Sequence, residues 1–388
     1  MALATMKTRR EIIARARAKY GKATKKEKGL ILDGICEGAG LSRSRAKRLL
    51  AANGSAESVK KTRKREPKYD EEVTAALEKV WAIMDFPCGK RLIAGISDTL
   101  DALIRNGEID IGETVMGKLA VISASTADRL LARSRQGLNL KGKSATKPGT
   151  LLKKDIPIRL GTEWDDAVPG FVEIDLVAHC GDTAAGEYVN TLDVTDICTG
   201  WTETAAVMNK AQRHVFKALL SIGERLPFPF RGIDSDNGSE FINAHLFRYC
   251  KENGIVFTRS RPYRKNDNCH VEQKNWHVVR RNIGYGRYEG NEAVKLMNCY
   301  YSSLRQYTNF FQPQAKLIEK TRNGSHIVKR YDSPKTPYRR LLDSVHVSDA
   351  DKTMLKDIFY SLNPAKLKRD MMLALRLLMK YQITGKTR

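Results

Sequence analysis

Three carboxylates have the residue types and the spacing for metal-dependent chemistry on phosphate esters. Asp175 lies in an apolar run that begins at Gly170, Asp236 lies in the segment Ile-Asp-Ser-Asp-Asn-Gly-Ser-Glu-Phe (233–241), and Glu272 follows Asp236 after 35 intervening residues. Carboxylates that converge on one point repel one another unless divalent cations hold them together. Phosphoryl transfer by two metal ions about 3.5–4 Å apart is the chemistry that requires such a trio.

Two neighbouring acids compete for these positions. Glu173 has the same side-chain parity as Asp175 on the predicted strand, so both could face the same way. Asp175 is preferred because apolar residues bracket it as they do in a central strand. Asp236 is preferred over Asp234 because Gly238 allows the backbone to turn sharply just beyond the strand. Asp234 is then interpreted as a structural acid.

The elements that must position these acids form an alternating pattern between residues 170 and 283. Strands are predicted at 170–180, 186–195, 197–206, 231–235 and 255–259, helices at 209–225, 239–253 and 268–283, and hairpin turns at Gly181-Asp182 and Thr195-Asp196. Three consecutive strands followed by alternating helices and strands favour an α/β layer. Near Glu272, the side chains expected to face a bound DNA are Lys265, Asn268, Lys274, Asn275 and Arg280.

These residues resemble a known family. Asp-Asn-Gly-Ser-Glu-Phe (236–241), the approach from Asn266 to Glu272 and the strand aspartate Asp175 are similar to the D,D,35,E core of retroviral integrases and related insertion-sequence transposases. The resemblance covers residues 168–290 and extends more loosely to the flanks. It implies an RNase H-like fold in which Asp175, Asp236 and Glu272 are the catalytic residues and metal ligands. The implied cofactors are two Mg²⁺ ions per active site, with Mn²⁺ as a substitute.

The resemblance also implies a function. The leading hypothesis is a DNA transposase that binds the ends of a mobile element, cleaves their 3′ ends and transfers the strands into target DNA. Its partners would be double-stranded DNA and further copies of the same chain on paired ends. One alternative is an RNase H-like nuclease that cleaves without joining, and another is a DNA-binding protein with an inactive core.

The charge distribution agrees with a nucleic-acid partner. The chain carries a net charge of +24, with +13 in residues 1–66, zero in residues 168–290 and +11 in residues 291–388. Two positive segments on either side of a neutral core favour a polyanion held at both ends.

The N-terminal 57 residues are predicted to form a helix-turn-helix DNA-binding domain. Helices are expected at 9–20, 25–36 and 43–52, with Ser42 as a candidate N-cap for the third. The residues expected to contact DNA are Arg43, Arg45, Lys47 and Arg48 on the third helix and Lys60, Lys61, Arg63, Lys64 and Arg65 on a basic linker, 58–68. An ordinary helical hairpin with a solvated basic face remains open as the alternative.

Residues 69–135 are predicted to form a second helical domain. A stripe formed by Leu77, Val80, Trp81 and Met84 indicates core packing, and Ser123 is expected to cap a helix that runs from 124 to 135. Arg129 and Arg133 are the candidate DNA contacts on that helix. A connector, 136–168, then leads to the catalytic core at 169–290.

Residues 291–388 are predicted to form a basic region of mixed β and α structure for DNA binding and assembly. A helix is expected at 292–307, a hairpin around Asn323-Gly324, and two helices at 349–361 and 364–382. The fold class is therefore multidomain: all-α helix-turn-helix domains, an α/β RNase H-like core and a mixed C-terminal region.

Composition restricts the compartment. The seven cysteines occur singly without a Cys-x-x-Cys pair, which indicates reduced thiols. All seven histidines lie at or after His179, so a zinc module is not expected at the N-terminus. No apolar stretch approaches the ~20 residues of a membrane span. The expected location is the bacterial cytoplasm, on the nucleoid when DNA is bound, without a membrane partner.

Overall fold

The computed structural model describes residues 6–51, 68–136, 167–236, 238, 240–241, 243–259, 271, 274–323 and 326–383. The linker lysines and arginines at positions 60–65, the connector residues 137–166, and Lys265, Asn268 and Glu272 lie outside the described residues. The chain divides into two compact units, Met1–Lys68 and Tyr69–Arg388.

The first unit contains three helices that pack on one another: α1 (Met6–Lys22), α2 (Lys25–Ala39) and α3 (Arg43–Ala51). Helix α2 begins with Thr24, whose backbone N–H donates to the Glu27 carboxylate at 2.7 Å, and it ends at Gly40 in the left-handed conformation. Ala46 and Leu50 of α3 face the small core. The three helices lie close to their predicted positions, while their role as a helix-turn-helix stays a prediction.

The second unit begins with five helices: α4 (Glu71–Ile83), α5 (Gly89–Arg105), α6 (Glu113–Ala120), α7 (Ala124–Leu130) and α8 (Ala132–Arg135). The predicted stripe is buried at Leu77, Val80, Trp81 and Met84. The predicted cap is present, since the Ser123 hydroxyl accepts from the Thr126 N–H at 3.2 Å. These helices share one compact unit with the rest of the chain up to its end.

A five-stranded mixed sheet forms the centre of this unit. Its strands are β1 (Phe171–Ala178), β2 (Asn190–Asp196), β3 (Thr202–Val207), β4 (Gly232–Ser235) and β5 (Val256–Arg259), in the order β3-β2-β1-β4-β5. β1, β2 and β3 pair antiparallel, whereas β4 pairs parallel with both β1 and β5. The predicted order of strands and helices is therefore present.

One predicted turn was wrong. Thr195 and Asp196 belong to β2, and the chain reverses after them, with Gly200 in the left-handed conformation. The Asp196 carboxylate instead ties the turn together, because it accepts from the N–H and hydroxyl of Thr199 at 2.7 and 2.6 Å and from the Gly170 N–H at 2.8 Å. Aspartate is common both inside a turn and directly before it, so the residue type alone did not show where the turn lies.

Helices cover both faces of the sheet. Helices α9 (Gln212–Gly223) and α10 (Ala244–Glu252) pack on one face. On the other face lie a π-helix (Asn275–Arg280), the short helix α11 (Arg281–Ile283) and the long helix α12 (Gly290–Phe311). The central strands β1 and β4 are therefore held in the interior of a three-layered structure.

Helix α12 also closes the exposed edge of the sheet. The side-chain amide of Asn309 accepts from the Thr202 N–H and donates to its carbonyl, both at 2.9 Å. Asn298 makes the same pair of bonds with Ala206, at 2.8 and 3.0 Å. The side chains of these two asparagines therefore supply, at Thr202 and Ala206, the backbone hydrogen bonds that a neighbouring strand would make with the edge strand β3.

The C-terminal region is built into the unit rather than free to extend as an arm. It contains the hairpin of β6 (Leu317–Asn323) and β7 (His326–Tyr331) and the helices α13 (Pro337–Asp343), α14 (Asp349–Ser361) and α15 (Pro364–Leu378). Phe310, Phe311, Tyr338 and Phe359 form an aromatic cluster inside the largest hydrophobic core. Within the described residues, no helix combines the length and apolar character needed to span a bilayer.

Candidate active site

The register of the sheet brings two of the predicted catalytic acids to adjacent positions. In the parallel pair of β1 and β4, Glu173 lies opposite Asp234 and Ile174 lies opposite Ser235. The next residue on each strand is Asp175 and Asp236, respectively. Two carboxylates separated by 60 residues in sequence thus meet where β4 ends.

Asp175 is half-buried and oriented by its neighbours. Its Oδ2 accepts a hydrogen bond of 2.5 Å from the side-chain amide of Asn275, and its Oδ1 accepts from the Leu176 N–H at 2.8 Å. Asn275 was expected to face DNA, but the structure directs its amide to Asp175. The position of Asn275 near Glu272 in the sequence indicated that it belongs to the site, but its hydrogen bond to Asp175 was not predicted.

Asp236 is held by the glycine that follows it. Its Oδ1 accepts from the Gly238 N–H at 2.8 Å. A Cβ at position 238 would lie 2.8 Å from Asp236 Oδ1 and 2.7 Å from Glu240 Cδ. The glycine at position 238 therefore permits the close approach of two carboxylates. Burial raises the pKa of Asp236, and the charge of Glu240 raises it further.

The two competing acids, Glu173 and Asp234, are buried and form hydrogen bonds with neighbouring elements. One Glu173 oxygen accepts from the Val271 N–H at 3.0 Å, and Asp234 accepts from the Thr258 hydroxyl at 2.5 Å. Both side chains are fully buried. Glu173 thereby ties β1 to the residue that precedes Glu272, and Asp234 ties β4 to β5.

Glu272 itself is outside the described residues, but the described residues on either side of it contact β1. Val271 is bonded to Glu173, and Asn275 is bonded to Asp175. The segment that contains the third predicted acid is therefore attached to the strand of the first at two points.

A fourth acid, Asp193, lies beside Asp175, and sequence reasoning missed it. It is the direct antiparallel partner of Asp175 on β2, and it is fully buried. Burial raises the pKa of Asp193, with a smaller contribution from the charge of Asp175. The alternation of Thr191, Asp193 and Thr195 is the signal that could have revealed a polar face on this strand.

Lys274 does not occupy the open DNA-facing position that we expected. Its ammonium donates to the Gly200 carbonyl at 3.1 Å and to Gln314 Oε1 at 2.7 Å. Burial lowers its pKa, while the negative charge of Asp193 acts in the opposite direction. A lysine whose donors are used by interior oxygens is a structural residue of the site, and charge alone did not distinguish it from a surface lysine.

His179, which directly follows β1, is a core residue. His179 is fully buried, and its Nε2 lies 2.8 Å from the Thr191 hydroxyl. Burial lowers its pKa to about 3, so the ring is neutral at physiological pH.

The predicted DNA contacts that the structure describes lie in both units. On α3, Arg43, Arg45, Lys47 and Arg48 are exposed, and Arg43 forms an ion pair with Asp33. On α7 and α8, Arg129 and Arg133 are exposed, and Arg129 also donates to the Thr126 hydroxyl at 3.1 Å. Their arrangement leaves Arg45, Lys47 and Arg48 on the outer side of α3, opposite its buried Ala46 and Leu50.

The donor chemistry near Asp175 fits a divalent cation. One oxygen of Asp193, Oδ2, is buried and has no hydrogen-bond partner among the described residues. It lies beside a pair of aspartates whose mutual repulsion a cation would offset. In the described part of the chain, no three His, Cys, Asp or Glu side chains form a metal-binding group. The third predicted ligand, Glu272, is not in that part.

The mixed sheet has Asp175 on its central strand β1 and Asp236 directly after the neighbouring strand β4. The family model described as integrase core domain matches residues 165–265. The chain is 39% identical over 338 residues to the uncharacterised protein y4rM of Sinorhizobium fredii, a match that covers 87% of this chain and 95% of that protein. The chain belongs to the integrase superfamily, in one family with y4rM, and its core is of the polynucleotidyl transferase type.

Two solved structures are similar to the core region. The catalytic core domain of HTLV-2 integrase, determined in complex with magnesium in a dimeric form, is 14% identical and covers 39% of this chain and 93% of its own, with a TM-score of 0.29. The catalytic core domain of BIV integrase is 19% identical and covers 46% of this chain and 96% of its own, also with a TM-score of 0.29.

Proposed function

We propose that this chain is a DNA transposase of the integrase type, which binds the ends of a mobile element, cleaves their 3′ ends and joins them to target DNA. The observation that carries the proposal is the sheet register that makes Asp175 and Asp236 neighbours. The attachment of Val271 and Asn275 to β1 supports Glu272 as the third acid of the same site.

In the proposed mechanism, Asp175, Asp236 and Glu272 would hold two Mg²⁺ ions. The chemistry that such ions would supply is activation of a water or a 3′-hydroxyl as nucleophile and stabilisation of the leaving oxygen. Mn²⁺ would substitute, because carboxylate oxygens bind both cations. Asn275 keeps the Asp175 carboxylate in one orientation through its amide. The Gly238 N–H does the same for Asp236, so the carboxylates need little rearrangement when metal and DNA bind.

We further propose that two or more copies act together on paired ends. One core supplies one carboxylate trio, whereas integration joins two DNA ends to opposite strands of a target. A symmetric assembly on two like ends is the simplest way to bring two trios together.

The test uses the purified full chain, labelled DNA with the ends of the element that encodes it, and a supercoiled target plasmid. In Mg²⁺ we expect cleaved 3′ ends and joined products, and we expect EDTA to abolish both and Mn²⁺ to restore them. Cleavage without joined products would replace this proposal with the nuclease. Binding without cleavage in either metal would identify a DNA-binding protein with an inactive core.

We predict that α3 selects the DNA ends. Replacing Arg45 and Arg48 by alanine should remove the preference for end sequence over random DNA, because removing a side chain that reads a base costs about 1–3 kcal/mol. The slope of log affinity against log salt should become shallower by roughly one for each phosphate that the variant no longer neutralises. Fluorescence anisotropy at several salt concentrations measures both quantities.

The matched control is Lys26→Ala, because Lys26 is an exposed cation on the neighbouring helix α2. It should leave the preference for end sequence unchanged. If the α3 variant still prefers end DNA as the unaltered chain does, end recognition belongs elsewhere, with Arg129 and Arg133 as the next candidates.

A further inference from the structure

A cavity of about 470 Å³ lies behind the segment that follows Glu272. The π-helix and α11 form one wall through His277, Val278 and Arg281, and α12 and α15 contribute others. Its volume falls within the range of small-molecule sites in proteins. The proposed DNA chemistry at Asp175 and Asp236 makes no use of it.

The cavity has more positive than negative charge. Four basic side chains line it, namely Arg91, Lys274, Arg281 and Lys368, and Asp85 is the only carboxylate among its described lining residues. Asp85 already pairs with Arg281 at 2.8 Å and with Lys368 at 3.1 Å. One carboxylate shared by two cations leaves the other two without a counter-charge in the lining.

Arg91 is one of these two cations. Its Nε donates to the Pro313 carbonyl at 2.6 Å, and no carboxylate of the described residues forms an ion pair with it. Burial lowers its pKa. A half-buried guanidinium that has only a carbonyl partner retains donors for an anion, and its planar fork matches the geometry of a phosphate.

The basic side chains of the cavity also affect the pKa of His277, another lining residue. Burial, together with the charges of Arg91, Lys274 and Arg281, lowers the pKa of His277 to about 4. The imidazole is therefore neutral at physiological pH, so it adds no charge to the cavity and can still donate or accept one hydrogen bond.

Part of the lining is aliphatic. Val278, Leu304, Met371 and Leu375 line the cavity, and Met372, which is 55% exposed, lies at its margin. A cavity lined by both cations and aliphatic side chains suits a ligand with a charged end and a flat, weakly polar body.

We propose that this cavity binds a nucleotide, with its phosphate toward Arg91 and its base against Leu304 and Met371. The choice of a nucleotide over other organic anions rests on the proposed function, since nucleotide units are what a DNA-processing chain encounters. The same chemistry has two sources: a free nucleotide, or a nucleotide unit of a DNA strand that passes the active site. Lys274 is two residues from Glu272 in sequence, so a ligand here contacts the segment that carries the third acid.

The test measures binding of dAMP to the full chain by isothermal titration calorimetry, with adenosine as the phosphate-free comparison. We expect dAMP to bind and adenosine to bind at least roughly tenfold more weakly. Arg91→Gln should weaken dAMP binding roughly ten- to hundredfold, the range for the loss of a hydrogen bond to a charged group. Lys90→Gln is the matched control, because Lys90 is the exposed neighbour of Arg91 on α5 and does not line the cavity.

A second variant covers the case in which Arg91→Gln fails to fold. Met372→Trp places a larger side chain at the margin of the cavity without a change of charge, and it should also prevent dAMP binding.

Displacement of dAMP by a single-stranded oligonucleotide would identify the DNA strand as the source of the bound nucleotide, and the absence of displacement would identify the free nucleotide. Equal dAMP binding in all variants, or no binding to the unaltered chain, would overturn the proposal. Because the assay needs no cleavage, dAMP binding by a chain that fails to process DNA would separate the two proposals.

Discussion

Asp175→Asn, Asp236→Asn and Glu272→Gln, each made alone, are expected to abolish end cleavage and strand transfer while DNA binding is retained. Each substitution keeps the size of the side chain and removes one anionic ligand. Residues that act as one unit lose almost the full effect when one member is removed, so we expect a decrease on the order of a thousandfold or more. Single-turnover cleavage of labelled end DNA measures the rate, and fluorescence anisotropy measures the binding.

The matched control is Asp182→Asn, because Asp182 is an exposed acid in the connection between β1 and β2. It should cleave and join at the rate of the unaltered chain. Substantial activity in any one of the three variants would remove that residue from the site. Loss of DNA binding together with activity would instead indicate a folding defect, which thermal unfolding would detect.

The local elements were predictable because their signals are local. The strand β4 ends within the acidic segment because Gly238 and the polar residues around it interrupt the apolar run. Ser123 caps α7 as expected, and Asn323 pairs with His326 across the predicted hairpin. Capping and hairpin chemistry depend on residues within a few positions of one another, so a single sequence contains them.

The partners of polar side chains were not predictable in the same way. Lys274 and Asn275 were both expected to face DNA, and both make their described hydrogen bonds within the unit. A π-helix follows at Asn275, and its wider turn changes which residues share a face, so a helical period of 3.6 cannot assign them. Asp193 was missed for a related reason, since its proximity to Asp175 depends on the register of β2.

In the C-terminal region, net charge and burial are separate properties. Net charge describes the surface, and the apolar residues determine what is packed. Tyr338 and Phe359 stack with their ring centroids 4.9 Å apart, inside the same core as α12. The positive charge of this region therefore belongs to the outer faces of packed helices, which present a fixed rather than an extended basic surface.

The hydrogen bond between Glu173 and Val271 leads to the second large expected effect. Glu173→Ala removes the acceptor of a buried N–H that immediately precedes Glu272 and leaves a space in β1. Groups that orient metal ligands typically contribute 10–100-fold to metal affinity or activity. We expect a decrease of about that size in cleavage, together with a higher Mg²⁺ concentration for half-maximal rate. A Mg²⁺ titration of the cleavage rate measures both.

Glu173→Gln distinguishes a positioning role from a ligand role. The amide oxygen of glutamine can still accept from the Val271 N–H, so this variant should recover most of the activity that Glu173→Ala removes and keep a similar Mg²⁺ dependence. Asp175→Asn, in contrast, should stay inactive at every Mg²⁺ concentration, because the substitution removes a metal ligand rather than a residue that supports one.

If Glu173→Gln is inactive and Asp175→Asn is active, the two residues exchange roles, and the metal site lies two residues earlier on β1. If Glu173→Ala cleaves at the unaltered rate, the hydrogen bond to Val271 does not fix the segment that carries Glu272, and Asn275 is left as its only described attachment to Asp175.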